Sequence, residues 1–375
     1  MSIIKLSKSI VGQKEIDAIA EVILNDGYLG MGQEVQRFEI EIARFLGIPA
    51  NRVVSVNSGT SALMLSVRAI LQPDDEVLVQ SLTYVSSFQA IIAAGAVPIP
   101  CEVKSSDATI DLKDAAERIT KKTKAIMPVH YASNPGDLEA IYNFAKNHNL
   151  RVIEDAAHAF GCSYNGKMIG SFGDVQCFSF DGIKNISTGE GGAIVSTDEA
   201  FLKCVKDARL LGVENDTERR FIGERSWNFD VKRMGFRCHL SNILAAVGRI
   251  QLQRFPNEFA PKRIALARRY REKLSGLSNI KMFETNLGLI VPHLQPILVA
   301  NGSRNELQLK LGSEGVGTGI HYKPNHLLSL FGNGRSNLPV TEKLYSQLLS
   351  LPLHPGLDTN DVDRVCRIIE EHSKA

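Results

Sequence analysis

From Val53 onward, short apolar stretches alternate with segments of helical spacing. The predicted strands are residues 76–79, 97–103, 124–129 and 151–154, and the predicted helices between them are 62–71, 87–94, 114–119 and 137–147. This alternation is typical of a parallel sheet whose crossover helices cover its faces. Upstream, residues 15–23 and 35–46 also show helical spacing. We therefore expect an α/β fold with a mostly parallel sheet and a helical segment before it.

The alternation of apolar strands and helices ends near Pro256 and Pro261, and a charged helix is predicted from Lys262. With 375 residues and 44% hydrophobic content, it is long enough for two lobes. We expect a large domain over residues 1–255 and a smaller C-terminal α+β domain over 256–375.

Composition excludes several classes of function. A net charge of +2 is too small to create a positive electrostatic field that would attract nucleic acid. No run approaches the ~18 apolar residues of a membrane span, and the opening residues lack a signal-peptide pattern. The six scattered cysteines show no zinc or redox spacing, so we expect no metal site. The expectation is a soluble, cytoplasmic protein with reduced thiols.

Three polar residues follow apolar strands and together indicate one cofactor. Lys184 lies on a short linker between the apolar stretches 175–180 and 192–196. Most single lysines are solvated, but desolvation or a neighbouring positive charge would make this one a neutral nucleophile. Asp155 ends a buried strand, either as an anion for a pyridine nitrogen or as a helix cap. With Ser179 as a phosphate donor, the set predicts a site for pyridoxal phosphate.

An earlier junction supplies a candidate site for the phosphate. The apolar stretch 53–56 runs into a glycine-containing turn and a helix, which presents backbone N–H groups to an anion. Gly59 and Thr60 are the predicted phosphate donors, opposite Ser179. Alternatively, Ser58 or Thr60 simply caps the helix.

Two further side chains are candidates for contact with the cofactor ring. Tyr84 follows the predicted strand 76–79 and would stack on the ring, or is an ordinary half-buried tyrosine. His158, three residues after Asp155, would reach the ring hydroxyl, or is a structural histidine.

Five ordered motifs carry a resemblance that extends from the first turn to the end of the chain. They are residues 30–39, 57–63, 154–159, 177–192 and 351–353. Together they resemble the DegT (DegT/StrS) group of nucleotide-sugar aminotransferases, which belongs to the fold-type I pyridoxal phosphate enzymes. The resemblance implies that residues 1–255 form the cofactor-binding domain.

The resemblance also implies residue roles. Lys184 would form the Schiff base and later move the proton, while Asp155 would keep the pyridine nitrogen protonated. His158 would lie near the ring hydroxyl, and Gly59, Thr60 and Ser179 fall at phosphate-binding positions. Some relatives that deoxygenate sugars carry histidine in place of this lysine, so Lys184 favours amine transfer.

One motif departs from the family. Arg237 stands where many relatives have an asparagine that crosses a dimer interface to the neighbour's phosphate. An arginine there would serve the phosphate, would reach the substrate's diphosphate, or is a surface residue. His239 replaces a family arginine. The resemblance implies a homodimer with shared active sites.

The C-terminal lobe contains the candidate substrate segment. His321, Tyr322 and Lys323 resemble the family segment that lies over the substrate, and they combine donors with an aromatic ring. Alternatively, they form a polar loop. Four more residues remain unranked as contributors to specificity: Asn134, Pro135, Arg225 and Asp230.

The predicted function is amino transfer from L-glutamate, through the pyridoxamine phosphate form, to a nucleotide-linked keto sugar. The acceptor would be a 3- or 4-keto-6-deoxy sugar on dTDP, UDP or GDP. Its amino sugar would enter surface polysaccharide or glycoconjugates, including lipopolysaccharide O-antigen. Two alternatives remain: a pyridoxal phosphate-dependent dehydratase or epimerase of sugars, and a regulatory homologue without catalysis. Nothing in the sequence selects the nucleotide, the carbon or the stereochemistry.

Overall fold

The computed structural model describes residues 3–225, 227–332 and 337–374. Its strands are β1 Val53–Val56, β2 Glu76–Gln80, β3 Val97–Cys101, β4 Thr123–Met127, β5 Arg151–Asp155, β6 Ser163–Tyr164, β7 Lys167–Met168, β8 Val175–Ser179, β9 Gly192–Ser196, β10 Ile280–Lys281, β11 Gln295–Val299 and β12 Leu348–Leu351. Its α-helices are α1 Gln13–Glu21, α2 Gln33–Leu46, α3 Gly59–Ile70, α4 Val85–Ala93, α5 Leu112–Glu117, α6 Leu138–Asn147, α7 Glu199–Ala208, α8 Asp216–Phe221, α9 Asn242–Arg254, α10 Ala260–Leu274, α11 Arg304–Ser313, α12 Pro339–Gln347 and α13 Thr359–Lys374.

The large sheet has seven strands within the described residues, in the order β1-β9-β8-β5-β4-β2-β3. Strands β8, β5, β4, β2 and β3 pair in parallel. Strand β9 runs antiparallel to both of its neighbours, β1 and β8. The predicted α/β class with a mostly parallel sheet is confirmed, with one reversed strand that the sequence did not predict.

The sheet is covered on both faces, which explains its apolar strands. Val53 and Val54 are adjacent in β1 but belong to different buried clusters, as alternation along a strand requires. One cluster contains Phe38 and Phe178, and the other contains Leu63. The neighbouring parallel strands β5 and β8 end in the polar residues Asp155 and Ser179, at the edge of the sheet where ligands bind in such folds.

Local chemistry sets the boundaries of several elements. Helix α3 begins at Gly59, three residues before the predicted start, because the Ser58 hydroxyl accepts the Ser61 N–H and caps it. Strand β3 ends at Cys101 and not at residue 103, since Val103 instead forms an isolated antiparallel bridge with Ile110.

A second, antiparallel sheet, β10-β11-β12, is built from residues after 256. Its core includes residues of α10, α11 and α13, together with Ile4 from the other end of the chain. Helices α9 and α10 are joined by the π-helical residues Phe255–Phe259, so Pro256 and Pro261 lie within one helical run. We propose that the boundary between the two domains at 255/256 lies inside this run.

Within the described ranges, no helix is both long enough and apolar enough to cross a membrane.

A buried ion pair joins α2, β1 and the end of α7. Arg209 Nη1 donates to Glu39 Oε1 at 2.6 Å and to the Ser55 carbonyl at 2.6 Å. The same carboxylate oxygen accepts the Ser55 N–H and hydroxyl. The exposed fractions of the Arg209 and Glu39 side chains are 0% and 6%, so loss of one partner would leave a charge without compensation.

We expect Glu39→Ala to lower the free energy of unfolding by about 3–5 kcal/mol, because the Arg209 guanidinium would stay buried without its carboxylate. Chemical denaturation measures the change. The control is Glu214→Ala, which removes the carboxylate paired with the exposed Lys232 and should cost less than about 1 kcal/mol. Equal losses in the two variants would contradict the prediction.

Candidate active site

A cavity of about 360 Å³ lies at the carboxyl ends of β5 and β8. Its lining includes nine of the residues predicted from the sequence: Gly59, Thr60, Tyr84, Asp155, His158, Ser179, Lys184, His321 and Tyr322. The first seven precede residue 256, and the last two come from the C-terminal part of the chain. The cavity is therefore lined by residues from both sides of the domain boundary that we propose.

Lys184 occupies the turn between β8 and β9, where it is half-buried. Its Nζ lies 3.5 Å from Nε2 of His293. Burial lowers the pKa of Lys184 to about 8, with a smaller contribution from the Arg263 charge, while Asp181 and Asp155 act in the opposite direction. A sizeable fraction of the amine is therefore neutral near pH 8, as a nucleophile requires.

Asp155 is the last residue of β5 and is 4% exposed. Its Oδ2 accepts a hydrogen bond from the Ser87 hydroxyl at 2.7 Å, and its Oδ1 accepts the Ala157 N–H at 3.2 Å. The carboxylate thus acts both as a local cap and as part of the cavity wall. Ser87 lies on α4, and no signal in the sequence indicated its role.

The end of the cavity near α3 presents backbone donors. Gly59 and Thr60 are the first residues of α3, whose first N–H groups have no partner within the helix. A Cβ on Gly59 would lie 2.7 Å from Ser179 Cβ, so glycine is needed for this close approach. The helix N-terminus and the Ser179 hydroxyl together form a cradle for an anion.

Histidines form a layer beside Lys184. The rings of His158 and His293 have centroids 4.4 Å apart. Ser133 joins the two residues, because its Oγ accepts the His293 N–H and donates to the His158 carbonyl. Burial lowers the pKa of both imidazoles well below the usual range, and the Lys184 charge acts in the same direction. The two imidazoles are therefore neutral near pH 7.

His293 was missed by the sequence analysis. It lies on the loop before β11, 109 residues from Lys184, with no motif around it. Only the packing of the second lobe against the first brings the two residues together.

The segment at residues 321–322 closes another side of the cavity. Burial lowers the pKa of His321 to about 4, and its Nδ1 lies 2.8 Å from Ser350 Oγ. Tyr322 Oη lies 3.2 Å from His158 Nε2. The rings of Tyr322 and Tyr84 have centroids 5.5 Å apart at 49°. Tyr84 is 56% exposed, so it lies at the mouth of the cavity.

Two carboxylates that the sequence analysis did not assign, Asp181 and Glu190, also line the cavity. Burial raises the pKa of Glu190, and the Asp181 charge adds to this effect. Lys184 is the single lysine or arginine among the described residues of the lining. The walls therefore carry more negative than positive formal charge.

Other predicted residues lie outside the cavity. Arg237 is exposed and forms an isolated bridge with Leu210, and Lys323 is also exposed. His239 is half-buried, and burial together with nearby arginines lowers its pKa to about 4. Arg225 donates to the Tyr28 hydroxyl. Asn134, Pro135 and Asp230 are not part of the lining.

Comparison with known proteins gives matches over nearly the whole chain. Residues 10–370 match the DegT/DnrJ/EryC1/StrS aminotransferase family. The chain is 34% identical over 378 residues to the spore coat polysaccharide biosynthesis protein SpsC of Bacillus subtilis (strain 168), covering 97% of this chain and 96% of that protein. It is 32% identical to the dTDP-4-dehydro-2,3,6-trideoxy-D-glucose 4-aminotransferase of Saccharopolyspora spinosa, covering 98% and 97%.

A solved structure is also similar. The putative sugar aminotransferase Spr1654 from Streptococcus pneumoniae, in its PLP-form, matches with a TM-score of 0.90 and 26% identity. The match covers 100% of this chain and 99% of that chain. Pyridoxal phosphate is the cofactor of such enzymes.

The residues of the cavity fit that cofactor. The phosphate would lie at the N-terminus of α3, where Gly59 approaches Ser179, and the Asp155 carboxylate would face the pyridine nitrogen. The Lys184 amine, with its lowered pKa, would bond the cofactor aldehyde.

We expect the protein freed of its cofactor to react with added pyridoxal phosphate faster as the pH rises, with a half-maximal rate near pH 8. Only the neutral amine attacks, and the pKa of Lys184 is about 8. Growth of the visible absorbance band measures the rate, and Lys184→Arg supplies the background from other lysines. A midpoint near 10, the ordinary range of lysine, would contradict the prediction.

Proposed function

We propose that this chain, which belongs to the DegT/DnrJ/EryC1/StrS aminotransferase family, moves an amino group from L-glutamate to a nucleotide-linked keto sugar. The chain is a pyridoxal phosphate-dependent sugar aminotransferase. The observation that carries the proposal is the Lys184 amine, which lines one cavity together with Asp155 and the N-terminus of α3.

Lys184 performs the proton transfers in this proposal. When bound, pyridoxal phosphate would supply an electron sink for the electrons of the C–H bond that breaks at the substrate carbon. Lys184 Nζ would move that proton from the donor's α-carbon to the C4′ carbon of the cofactor, and in the second half-reaction it would move a proton from C4′ to the acceptor carbon. A pKa of about 8 suits both directions, because the amine is neither permanently charged nor a weak base near neutral pH.

The surrounding side chains hold charge and exclude water. Asp155 stabilises a protonated pyridine nitrogen, and Ser87 orients the carboxylate by donating to Oδ2 at 2.7 Å. His158 and His293 stay neutral, so they neither repel the protonated amine nor compete with Lys184 for its proton. Tyr322 and Tyr84 cover the mouth.

The acceptor in our proposal is a 3- or 4-keto-6-deoxy sugar on dTDP, UDP or GDP. The Saccharopolyspora spinosa relative is named as a 4-aminotransferase for a dTDP-linked 4-keto sugar, which supports amination at C4. His321 and Tyr322 line the cavity and would contact the sugar. Lys323 is exposed outside the cavity, where it would bind the diphosphate. The name of the Bacillus subtilis relative supports a role in surface polysaccharide. In our proposal the amino sugar enters such a polysaccharide, lipopolysaccharide O-antigen or another glycoconjugate.

We also propose a cytoplasmic homodimer with shared active sites. The described cysteines are free thiols and five of them are buried, which suits a reducing compartment. The cofactor phosphate brings about two negative charges to a cavity whose lining has one lysine. Arg237 of a second copy would supply the missing cation. Six exposed apolar side chains precede Arg237 in the sequence, and such side chains often form an interface between proteins: Leu211, Ile222, Trp227, Phe229, Val231 and Met234.

We expect the yellow colour of the purified protein to bleach when L-glutamate is added, with release of one equivalent of 2-oxoglutarate per site. The amino group would then stay on the cofactor and await the keto sugar. Visible absorbance and an assay for 2-oxoglutarate measure the two events. A band that persists would favour the dehydratase or epimerase alternative or another donor.

The matched control is Lys184→Ala with the cofactor supplied. Without the amine, we expect at least a ~10²-fold loss of 2-oxoglutarate release, since the proton transfer loses its base. Release at the wild-type rate would overturn the role of Lys184, and a wild-type protein without any activity would favour the regulatory alternative.

We expect the cofactor-loaded protein to sediment as a dimer. Arg237→Ala should leave the dimer intact and weaken pyridoxal phosphate affinity by about tenfold, because a charge-assisted hydrogen bond contributes roughly 1.5 kcal/mol. Sedimentation velocity and fluorescence titration measure the two quantities. A monomer with full cofactor affinity would contradict both parts.

A further inference from the structure

Arg263 is a buried guanidinium for which the structure shows no counter-ion. It lies on α10, is 2% exposed, and has no carboxylate within 4.0 Å among the described residues. Burial alone lowers its pKa to about 10. The group therefore remains a cation near neutral pH although it is removed from water.

Backbone carbonyls of three chain segments surround this cation. Its Nη1 donates to the carbonyls of Pro292 and His293 at 3.4 Å and of Leu353 at 3.2 Å. Its Nη2 donates to the carbonyls of Ile183 and Lys184 at 3.4 Å. Two of these five carbonyls belong to Lys184 and His293, whose side chains meet in the cavity.

Stability alone is a weak explanation for such a residue. Burial of an unpaired charge costs several kcal/mol, and carbonyl dipoles compensate it only in part. An apolar side chain of similar volume often serves a core equally well. Arg263 donates to the backbone carbonyls of Lys184 and His293, the two residues whose side-chain nitrogens face each other in the cavity, and this points to a role in the site.

We propose that Arg263 is a positioning residue for the aminotransferase reaction: it holds the backbone of Lys184 and His293 together and favours the uncharged Lys184 nitrogen through its own positive charge. The proposal rests on Lys184 carrying the cofactor, as set out for the proposed function.

The other charges around Lys184 show why a cation is needed there. Asp181 and Asp155 raise the pKa of Lys184, whereas burial and the Arg263 charge lower it. The three imidazoles near the amine, those of His158, His293 and His321, have lowered pKa values and are neutral near pH 7. Arg263 is thus the fixed positive charge that opposes the two carboxylates.

The test is a pH titration of the visible absorbance of the holoenzyme, which reports protonation of the nitrogen that Lys184 contributes. Arg263→Gln and Arg263→Met remove the charge with little change of volume, and Arg263→Lys keeps a charge without the planar fork. Arg304→Gln is the matched control, because Arg304 is also buried in the C-terminal lobe and donates to the Leu348 carbonyl, outside the cavity.

We expect the midpoint to rise by about 0.5–1 pH unit in Arg263→Gln and Arg263→Met, since loss of a nearby like charge favours the protonated nitrogen. Arg263→Lys and Arg304→Gln should keep the wild-type midpoint. An unchanged midpoint in a folded neutral variant would overturn the proposal. So would an equal rise in Arg263→Lys, or the failure of both neutral variants to fold, which would make Arg263 a folding residue.

The same titration distinguishes failure of the proposed function from failure of the role of Arg263. A wild-type holoenzyme without a visible band would count against Lys184 as the cofactor lysine, and this proposal would fall with it. A wild-type band whose midpoint does not depend on residue 263 would count against the role of Arg263 alone.

Discussion

Desolvation of the Lys184 amine is the constraint on which the rest of the site depends. Water would keep this amine protonated at neutral pH, with the pKa of an ordinary lysine. Enclosure lowers that pKa to about 8, although two carboxylates nearby act against the change. The same enclosure acts on His158 and His293 and keeps their imidazoles neutral. Burial thus lowers the pKa of the Lys184 amine and of the two imidazoles beside it.

Neither lobe encloses this amine alone. The turn after β8 carries Lys184, and the second lobe supplies His293 and Tyr322. Asn185 fastens the turn, because its Nδ2 donates to the Phe160 carbonyl in one lobe and to the Val291 carbonyl beyond α10. Further along the interface, the Glu102 carboxylate accepts backbone N–H groups at the start of α12. Residues after position 256 therefore contribute to the enclosure of Lys184, whose burial lowers its pKa.

What the sequence could predict follows from how local each signal is. Strand periodicity, polar residues at strand ends and a glycine at the start of a helix are visible in short stretches of sequence. Local patterns were therefore enough to select Lys184, Asp155 and Gly59 as candidates, and the three residues line one cavity. Ser87 and His293 reach the site through helix packing and lobe docking, which no local pattern records. The reversal of β9 was equally hidden, because an apolar strand looks alike in either direction. Arg237 lies on the exposed surface, and a single chain does not show which group it would contact.

The charge balance of the cavity links catalysis to assembly. Asp155, Asp181 and Glu190 line it, and the raised pKa of Glu190 shows that burial and the neighbouring carboxylate already disfavour a further negative charge there. A cofactor phosphate and the two carboxylates of glutamate would add to that excess, while the α3 N-terminus offers only a partial positive charge. Arg263 is not part of the lining and donates to backbone carbonyls, so in our proposal it acts on the Lys184 amine and not on the substrate. Among the described residues that line this cavity Lys184 is the single lysine or arginine, so in the dimer that we propose the exposed Arg237 of a second copy would supply a further cation without adding a buried charge to the monomer.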